Sequence, residues 1–209
     1  MGGMSDKTHE AVQQFFGPRA AGWEDKFPGD QPRYDAATGV LGLRYGDLVL
    51  DAGCGTGRAL APLRERVGTG GTVLGVDLTP EMLGEAAVKG RARYGALLLA
   101  DVARLPLRDA ACDAVFGAGL VSHLPGPETG LRELARVTRP GGRLALFHPL
   151  GRAALAARHG RRLSEDDPRA SERLAPLLAT TGWRLVSYVD EDTRHLAVAV
   201  REPGRAGAS

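Results

Sequence analysis

The chain is poor in the features that mark a specialised environment. Cys54 and Cys112 are the two cysteines in 209 residues, and neither stands in a C-x-x-C or other metal-ligand spacing. A disulfide scaffold is excluded, and a reducing, cytoplasmic setting fits best. No run of about 20 uncharged apolar residues occurs, so no membrane-spanning helix is expected. The N-terminus lacks the basic-then-apolar pattern of an export signal. An excess of charge of either sign is also missing: 27 basic against 25 acidic residues leave a net +2, which favours neither nucleic acid nor an anionic membrane as partner. Lysine is scarce, with Lys7, Lys26 and Lys89 alone among the basic residues. The arginine bias together with abundant Ala and Gly points to coding preference rather than an arginine-based function. The length suits one domain with a sizeable core, and 43% apolar residues describe an ordinary globular protein.

Glycine, by contrast, is plentiful, and its densest cluster organises the chain. Leu48-Val49-Leu50-Asp51-Ala52-Gly53-Cys54-Gly55-Thr56-Gly57 reads as a buried strand that ends in a carboxylate and turns sharply into a helix at Arg58. Its backbone is bare enough for a ligand to lie against it. A dinucleotide fingerprint wants Gly or Ala at the sixth position of G-x-G-x-x-G, where Arg58 stands here. Asp51 would repel a pyrophosphate but suits a ligand carrying an ammonium group.

Two further apolar runs end in acids: 72–76 at Asp77 and 96–100 at Asp101. An acid after the second strand of such a sheet accepts hydrogen bonds from a ribose diol. A fourth strand over 112–116 leads into Gly117. A helix over 128–138 puts Leu131, Leu134 and Ala135 on one face, Arg139-Pro140-Gly141-Gly142 stops it, and a fifth strand over 143–147 ends at His148. Before the first strand the spacing predicts a helix over 5–16, capped by Ser5 or Asp6, and a second over 34–43. Beyond 151 it predicts a helix over 171–180, a hairpin of strands 183–189 and 195–200, and a frayed tail over 202–209.

Asp51-Ala52-Gly53-Cys54-Gly55-Thr56-Gly57 resembles the first motif of class I S-adenosylmethionine-dependent methyltransferases, in the small-molecule, type 11-like subset. Leu78-Thr79-Pro80-Glu81-Met82-Leu83 resembles the second motif, and 103–107 resembles the A-x-x-L-P-F linker. Residues 112–125 are similar to F-D-x-V-x-x-x-x-x-L-H-H-L-P, with Cys112 and Ser122 as departures, and 131–142 to L-R-E-x-x-R-V-L-x-P-G-G. The resemblance implies an α/β, Rossmann-like doubly wound sheet of about seven strands, the last antiparallel, with helices on both faces. It implies S-adenosylmethionine as cofactor and S-adenosylhomocysteine as product. Asp51, Gly53, Cys54, Gly55 and Gly117 would meet the methionine end, Asp77 the ribose, and Met82, Asp101 and Val102 the adenine, with Leu78 a further cofactor-binding residue. Residues 1–46 would cap this site, with Trp23 or Tyr34 reaching it, on a core domain of 47–201. The segment 117–120 lacks the polar-Pro-Pro-aromatic tetrad usual in amino-methyltransferases of nucleobases.

A sulfonium methyl is already a strong electrophile, so such an enzyme mainly aligns acceptor, carbon and sulfur and excludes water. The acceptor belongs in the crevice outside the carboxyl ends of the fourth and fifth strands. That singles out His148 as general base or orienting group and His123 as a second candidate that more readily packs. His9, His159 and His195 are expected on the surface. Arg152, Arg158, Arg161 and Arg162 form either a lid over an anionic acceptor within 151–173 or, the preferred reading, a solvated face neutralised by Glu165, Asp166 and Asp167. No metal-ligand set and no Ser-His-Asp set can be assembled, so a metal-independent site is expected. The expectation is methyl transfer to O, N or C of a small molecule by a monomer or homodimer. The alternatives are an RNA or protein methyltransferase of the same fold, a non-catalytic cofactor-binding protein, or an NAD oxidoreductase.

Overall fold

The computed structural model describes residues 9–26 and 28–203; the expected Ser5 or Asp6 cap and most of the expected tail lie outside the described residues. The strands are β1 Leu48–Ala52, β2 Thr72–Asp77, β3 Ala96–Leu99, β4 Cys112–Ala118, β5 Thr138–His148, β6 Trp183–Glu191 and β7 Arg194–Arg201. The helices are α1 His9–Phe16, α2 Gln31–Gly39, α3 Leu60–Val67, α4 Pro80–Val88, α5 Pro127–Val137, α6 Arg152–Arg158 and α7 Ser171–Thr180. All seven strands form one sheet ordered β3-β2-β1-β4-β5-β7-β6. β1 to β5 pair in parallel, and β7 runs antiparallel to β5 and β6. This is the Rossmann-like sheet with an antiparallel last strand that the resemblance implied.

Central strands covered on both faces need apolar side chains throughout, and Val49, Leu50, Val115 and Phe116 are fully buried. On one face, Leu131 and Leu134 of α5 and Leu174 and Leu178 of α7 pack with Trp183 against Leu50 and Leu144. The Trp183 indole donates to the Leu131 carbonyl at 3.0 Å, which satisfies its polar atom in the core. On the other face, Leu60, Leu63 and Val67 of α3 pack on Val49, Phe116 and Phe147.

Several boundaries differ from expectation. α2 begins at Gln31, because Pro32 is tolerated in a first turn, and ends before the expected 43. The glycine loop delays α3 to Leu60 rather than Arg58. The segment 139–142 does not stop α5. The helix ends at Val137, Thr138 Oγ1 donates to the Leu134 carbonyl at 2.6 Å, and the chain enters β5 directly. Cys112 pairs with Thr138 and Ala114 with Arg143, so the intervening residues bulge out of the ladder, with Gly141 at φ +78°.

The parallel strands bring Asp51, Asp77, Gly117 and His148 to one edge of the sheet, where α/β folds bind ligands. Leu131→Ala removes a fully buried side chain and should lower unfolding free energy by about 2–5 kcal/mol. Val88→Ala, at 83% exposure, should change it by less than about 0.5 kcal/mol. Urea denaturation of both variants checks this.

Candidate functional site

The loop after β1 uses its glycines for backbone shape. Gly53, Gly55 and Gly57 have φ of +66°, +53° and +81°, a region other residues enter only with strain. The Cys54 N–H donates to Val76 at 2.9 Å, tying the loop to β2. A Cβ on Gly53 would sit 3.1 Å from Leu120 Cδ1, and one on Gly117 2.9 Å from Leu120 Cδ2. Leu120 therefore borders both glycines.

Asp51 lies under this loop with 1% exposure, and neither carboxylate oxygen has a hydrogen-bond partner within the described residues. Burial, reinforced by the charge of Asp77, pushes its carboxyl up to about 8. Asp77 is better satisfied. Its Oδ2 accepts from the Gly55 N–H and its Oδ1 from the Thr79 N–H, both at 2.8 Å, yet burial still holds it above its ordinary value. The Thr79 hydroxyl and the Leu78 N–H also approach this carboxylate. Met82 is buried with Sδ toward Gly55, and Val102 and Cys54 are buried too. Burial raises the Cys54 thiol well above its usual range. Asp101 Oδ1 accepts from the Ala103 N–H at 2.8 Å. The ten residues the sequence nominated thus lie along the carboxyl ends of β3, β2, β1 and β4.

The sequence did not reveal how the N-terminal segment is fastened to this rim. Glu24 binds Arg91 through both oxygens and accepts from Thr56 Oγ1 at 2.6 Å, and Arg58 Nε lies 3.7 Å away. Burial alone would raise the Glu24 carboxyl, but the Arg91 and Thr56 bonds and the charges of Arg91 and Arg58 bring it below its usual range. Arg91 also donates to the Thr56 carbonyl at 2.6 Å, and Arg33 donates to Pro149 at 2.8 Å. In α1, Gln13 donates to the Leu78 carbonyl at 2.8 Å, and His9 Nε2 lies 2.9 Å from Asp101 Oδ2. Trp23 packs edge-on to Phe16. Tyr34 packs edge-on to Phe147 at 5.2 Å under the Arg58 guanidinium, and burial, with Asp51 among the nearby charges, raises its hydroxyl.

Beyond β4 and β5 the histidines separate. His123 is packed by Phe16 and Phe15, with ring centroids 4.9 and 6.0 Å away. His148 Nδ1 is engaged by the Leu150 turn, where the N–H donates at 3.0 Å and the carbonyl lies at 2.8 Å. Burial lowers its pKa to about 4. His195, expected on the surface, is 1% exposed; it opposes the partly exposed His148 in the β5–β7 ladder. Its ring and Arg169 join Leu120, Leu146, Phe147 and Leu174 around a narrow cleft. Of the arginines from 152 to 162, Arg158, Arg161 and Arg162 are exposed. Arg152 is mostly covered, with Asp167 and Asp190 at 3.6 and 3.5 Å.

The sheet order, the glycine loop and the three strand-end acids define the class I methyltransferase architecture. Within it, a family model described as a methyltransferase domain matches residues 50–146, and the chain belongs to that family. It is 39% identical over 149 residues to malonyl-[acyl-carrier protein] O-methyltransferase of Serratia marcescens, covering 70% of this chain and 55% of that one. It is 34% identical over 167 residues to 2-phytyl-1,4-naphtoquinone methyltransferase of Synechocystis, covering 73% and 69%. The chain therefore spans little more than half the length of the first relative. Magnesium protoporphyrin IX methyltransferase of Synechocystis, solved with bound S-adenosylhomocysteine, superposes with a TM-score of 0.70 over 93% of this chain and 99% of that one. At 20% identity this likeness shows the fold.

Asp51 makes stability depend on pH in a definite sense. Its folded pKa of about 8 lies above the ordinary 3.8, so between these values the folded state holds a proton that the unfolded chain has lost, and stability falls as pH rises. Below 6.5 His148 works the other way, its folded value being about 4. From pH 6.5 to 8 the folded protein should lose about 1–2 kcal/mol of stability. Asp51→Asn should flatten that slope, as read from denaturation midpoints across the range.

Proposed function

We propose that this chain binds S-adenosylmethionine and transfers its methyl group to a small-molecule acceptor. The observation that carries the reading is Asp51, a carboxyl buried without a hydrogen-bond partner under a bare-backbone loop. An isolated buried carboxylate is strongly destabilising, and an ammonium group laid against Gly53, Cys54 and Gly55 would neutralise it. Asp77, at the end of β2, would accept from the ribose diol. Leu78, Met82 and Val102 would enclose the adenine, with Asp101 at its amino edge and Gly117 beside the methionine chain.

When bound, this cofactor supplies a methyl group already activated on a sulfonium. The protein's work is then to hold the partners in line and keep water out. Residues 9–46, fastened through Glu24, Arg33 and Gln13, serve as the cap. His123 supports that cap by packing under Phe15 and Phe16. His148, neutral at physiological pH and engaged by its own turn, suits an orienting role better than that of a strong base. The named relatives are methyltransferases, which supports the reaction class and, through the first, oxygen as the atom methylated.

Calorimetry with S-adenosylhomocysteine tests the reading. At pH 7 binding should eject about one proton, seen as a dependence of the heat on buffer ionisation enthalpy. Asp51→Asn should eject none and bind at least about tenfold more weakly. Folded wild-type protein that fails to bind sinks the proposal.

A further inference from the structure

We propose that Arg91 is a positioning residue for the cofactor: by holding the Thr56 carbonyl it fixes the loop over 53–57 in the shape that receives the methionine end of S-adenosylmethionine. The inference rests on the methyl-transfer reading above and deepens it, because it makes the binding of that one end depend on a residue outside the loop.

A loop with three glycines does not hold its own shape. Gly53, Gly55 and Gly57 all sit at positive φ, and glycine gives up more conformational freedom on ordering than any other residue. Contacts from outside the loop must offset that cost. Two come from β2 and fall on the first half of the loop: the Cys54 N–H donates to the Val76 carbonyl at 2.9 Å and the Gly55 N–H to Asp77 Oδ2 at 2.8 Å. The second half is held by Arg91. Its Nη1 donates to the Thr56 carbonyl at 2.6 Å and lies 3.3 Å from Thr56 Oγ1. Its stem lies against Gly57, where an added Cβ would come within 3.3 Å of Arg91 Cδ. Gly57 is thus needed twice, for its φ of +81° and for the room the Arg91 stem takes.

The position of Arg91 is itself built. α4 starts at Pro80, just past Asp77, and Gly90 beyond its end turns the chain at φ +68° into one 3₁₀ turn over Arg91–Arg93. Glu24 fixes the guanidinium from the opposite side: Nη1 and Nη2 donate to its two oxygens, and Thr56 Oγ1 donates to the same carboxylate at 2.6 Å. A bidentate pair sets the plane of the guanidinium as well as its place. The Arg91 and Glu24 side chains are 17% and 19% exposed, so water competes little for these bonds.

The peptide between Thr56 and Gly57 is the piece Arg91 controls. Without its donors that peptide is free to turn between Gly55 and Gly57, and a ligand must order the loop as it binds, which lowers affinity. The loss falls on the end of the ligand that lies on the loop. Ribose and adenine would meet Asp77, Asp101 and Val102, which β2 and the turn after β3 hold in place.

The test compares S-adenosylhomocysteine with 5′-methylthioadenosine, which keeps the adenosine and the sulfur but lacks the amino-acid chain. Arg91→Met made together with Glu24→Gln removes the donors without stranding the Glu24 charge. Calorimetry on this folded double variant should show S-adenosylhomocysteine weakened at least about tenfold and 5′-methylthioadenosine by less than about threefold. Coupling is reciprocal, so in wild type S-adenosylhomocysteine should slow hydrogen exchange of the Arg91 guanidinium, read from nitrogen-15 spectra, at least about threefold more than 5′-methylthioadenosine does. The proposal is overturned if the double variant binds S-adenosylhomocysteine as wild type does, if it weakens both ligands alike, or if S-adenosylhomocysteine leaves the guanidinium exchange unchanged. The exchange measurement decides should the double variant not fold or 5′-methylthioadenosine not bind. Wild type that fails to bind S-adenosylhomocysteine would instead overturn the methyl-transfer reading.

Discussion

An acid without a partner governs this molecule. Asp51 sits where β1 runs out beneath the glycine loop, and both oxygens are sealed from solvent with nothing in the described chain donating to them. A buried carboxylate in that position destabilises the fold by several kcal/mol unless it takes up a proton or meets a cation. The protein does the first by raising its pKa to about 8. A bound ammonium group would do the second, so the proton and the ligand compete for the same oxygens. Gly53 and Gly55, with positive φ and no side chains, put bare backbone over that position, and Asp77 holds the loop in shape through Gly55 while adding a second negative charge that makes a cation still more welcome.

The same loop anchors the N-terminal segment. Thr56, buried in the turn, and Arg58, just past it, both reach Glu24, and Arg91 closes the cluster from beyond α4. Loop shape and the position of the N-terminal segment are thereby coupled: a displacement of the loop backbone at Thr56 would disturb the Arg91 and Glu24 contacts together. Mostly buried ion pairs of this kind contribute little net stability on balance, but removing one member leaves charges stranded. They act here as a positional lock. Because α1 also contacts the Leu78 carbonyl and Asp101, the lock sets where the N-terminal segment meets the ends of β2 and β3.

What could be read from the sequence follows from which signals are local. Strands ending in Asp51, Asp77 and Asp101 were visible because burial demands apolar runs and the acids punctuate them. The buried face of α5 was visible because Leu131, Leu134 and Ala135 keep helical spacing. The bulge at 139–142 was not, since Pro-Gly-Gly after a helix looks the same whether it ends a helix or swells a strand, and only pairing with β4 decides. Arg58 could be read as an argument against a pyrophosphate. Its attachment to Glu24 spans residues with no shared pattern, and Arg91 lies 67 positions from Glu24. His195 failed for a related reason: a histidine at the mouth of a hairpin looks exposed until the tertiary fold places Arg169 and α7 over it.

The two edge histidines show how backbone context divides similar side chains. His148 and His195 face each other across one ladder, and the positive charge of either ring lowers the pKa of its neighbour, which opposes charging both together. His148 spends Nδ1 on its own turn at Leu150, whereas His195 spends Nε2 on a carbonyl brought from outside the sheet. The first arrangement stabilises a strand exit. The second ties a sheet histidine to Arg169, in the stretch between α6 and α7.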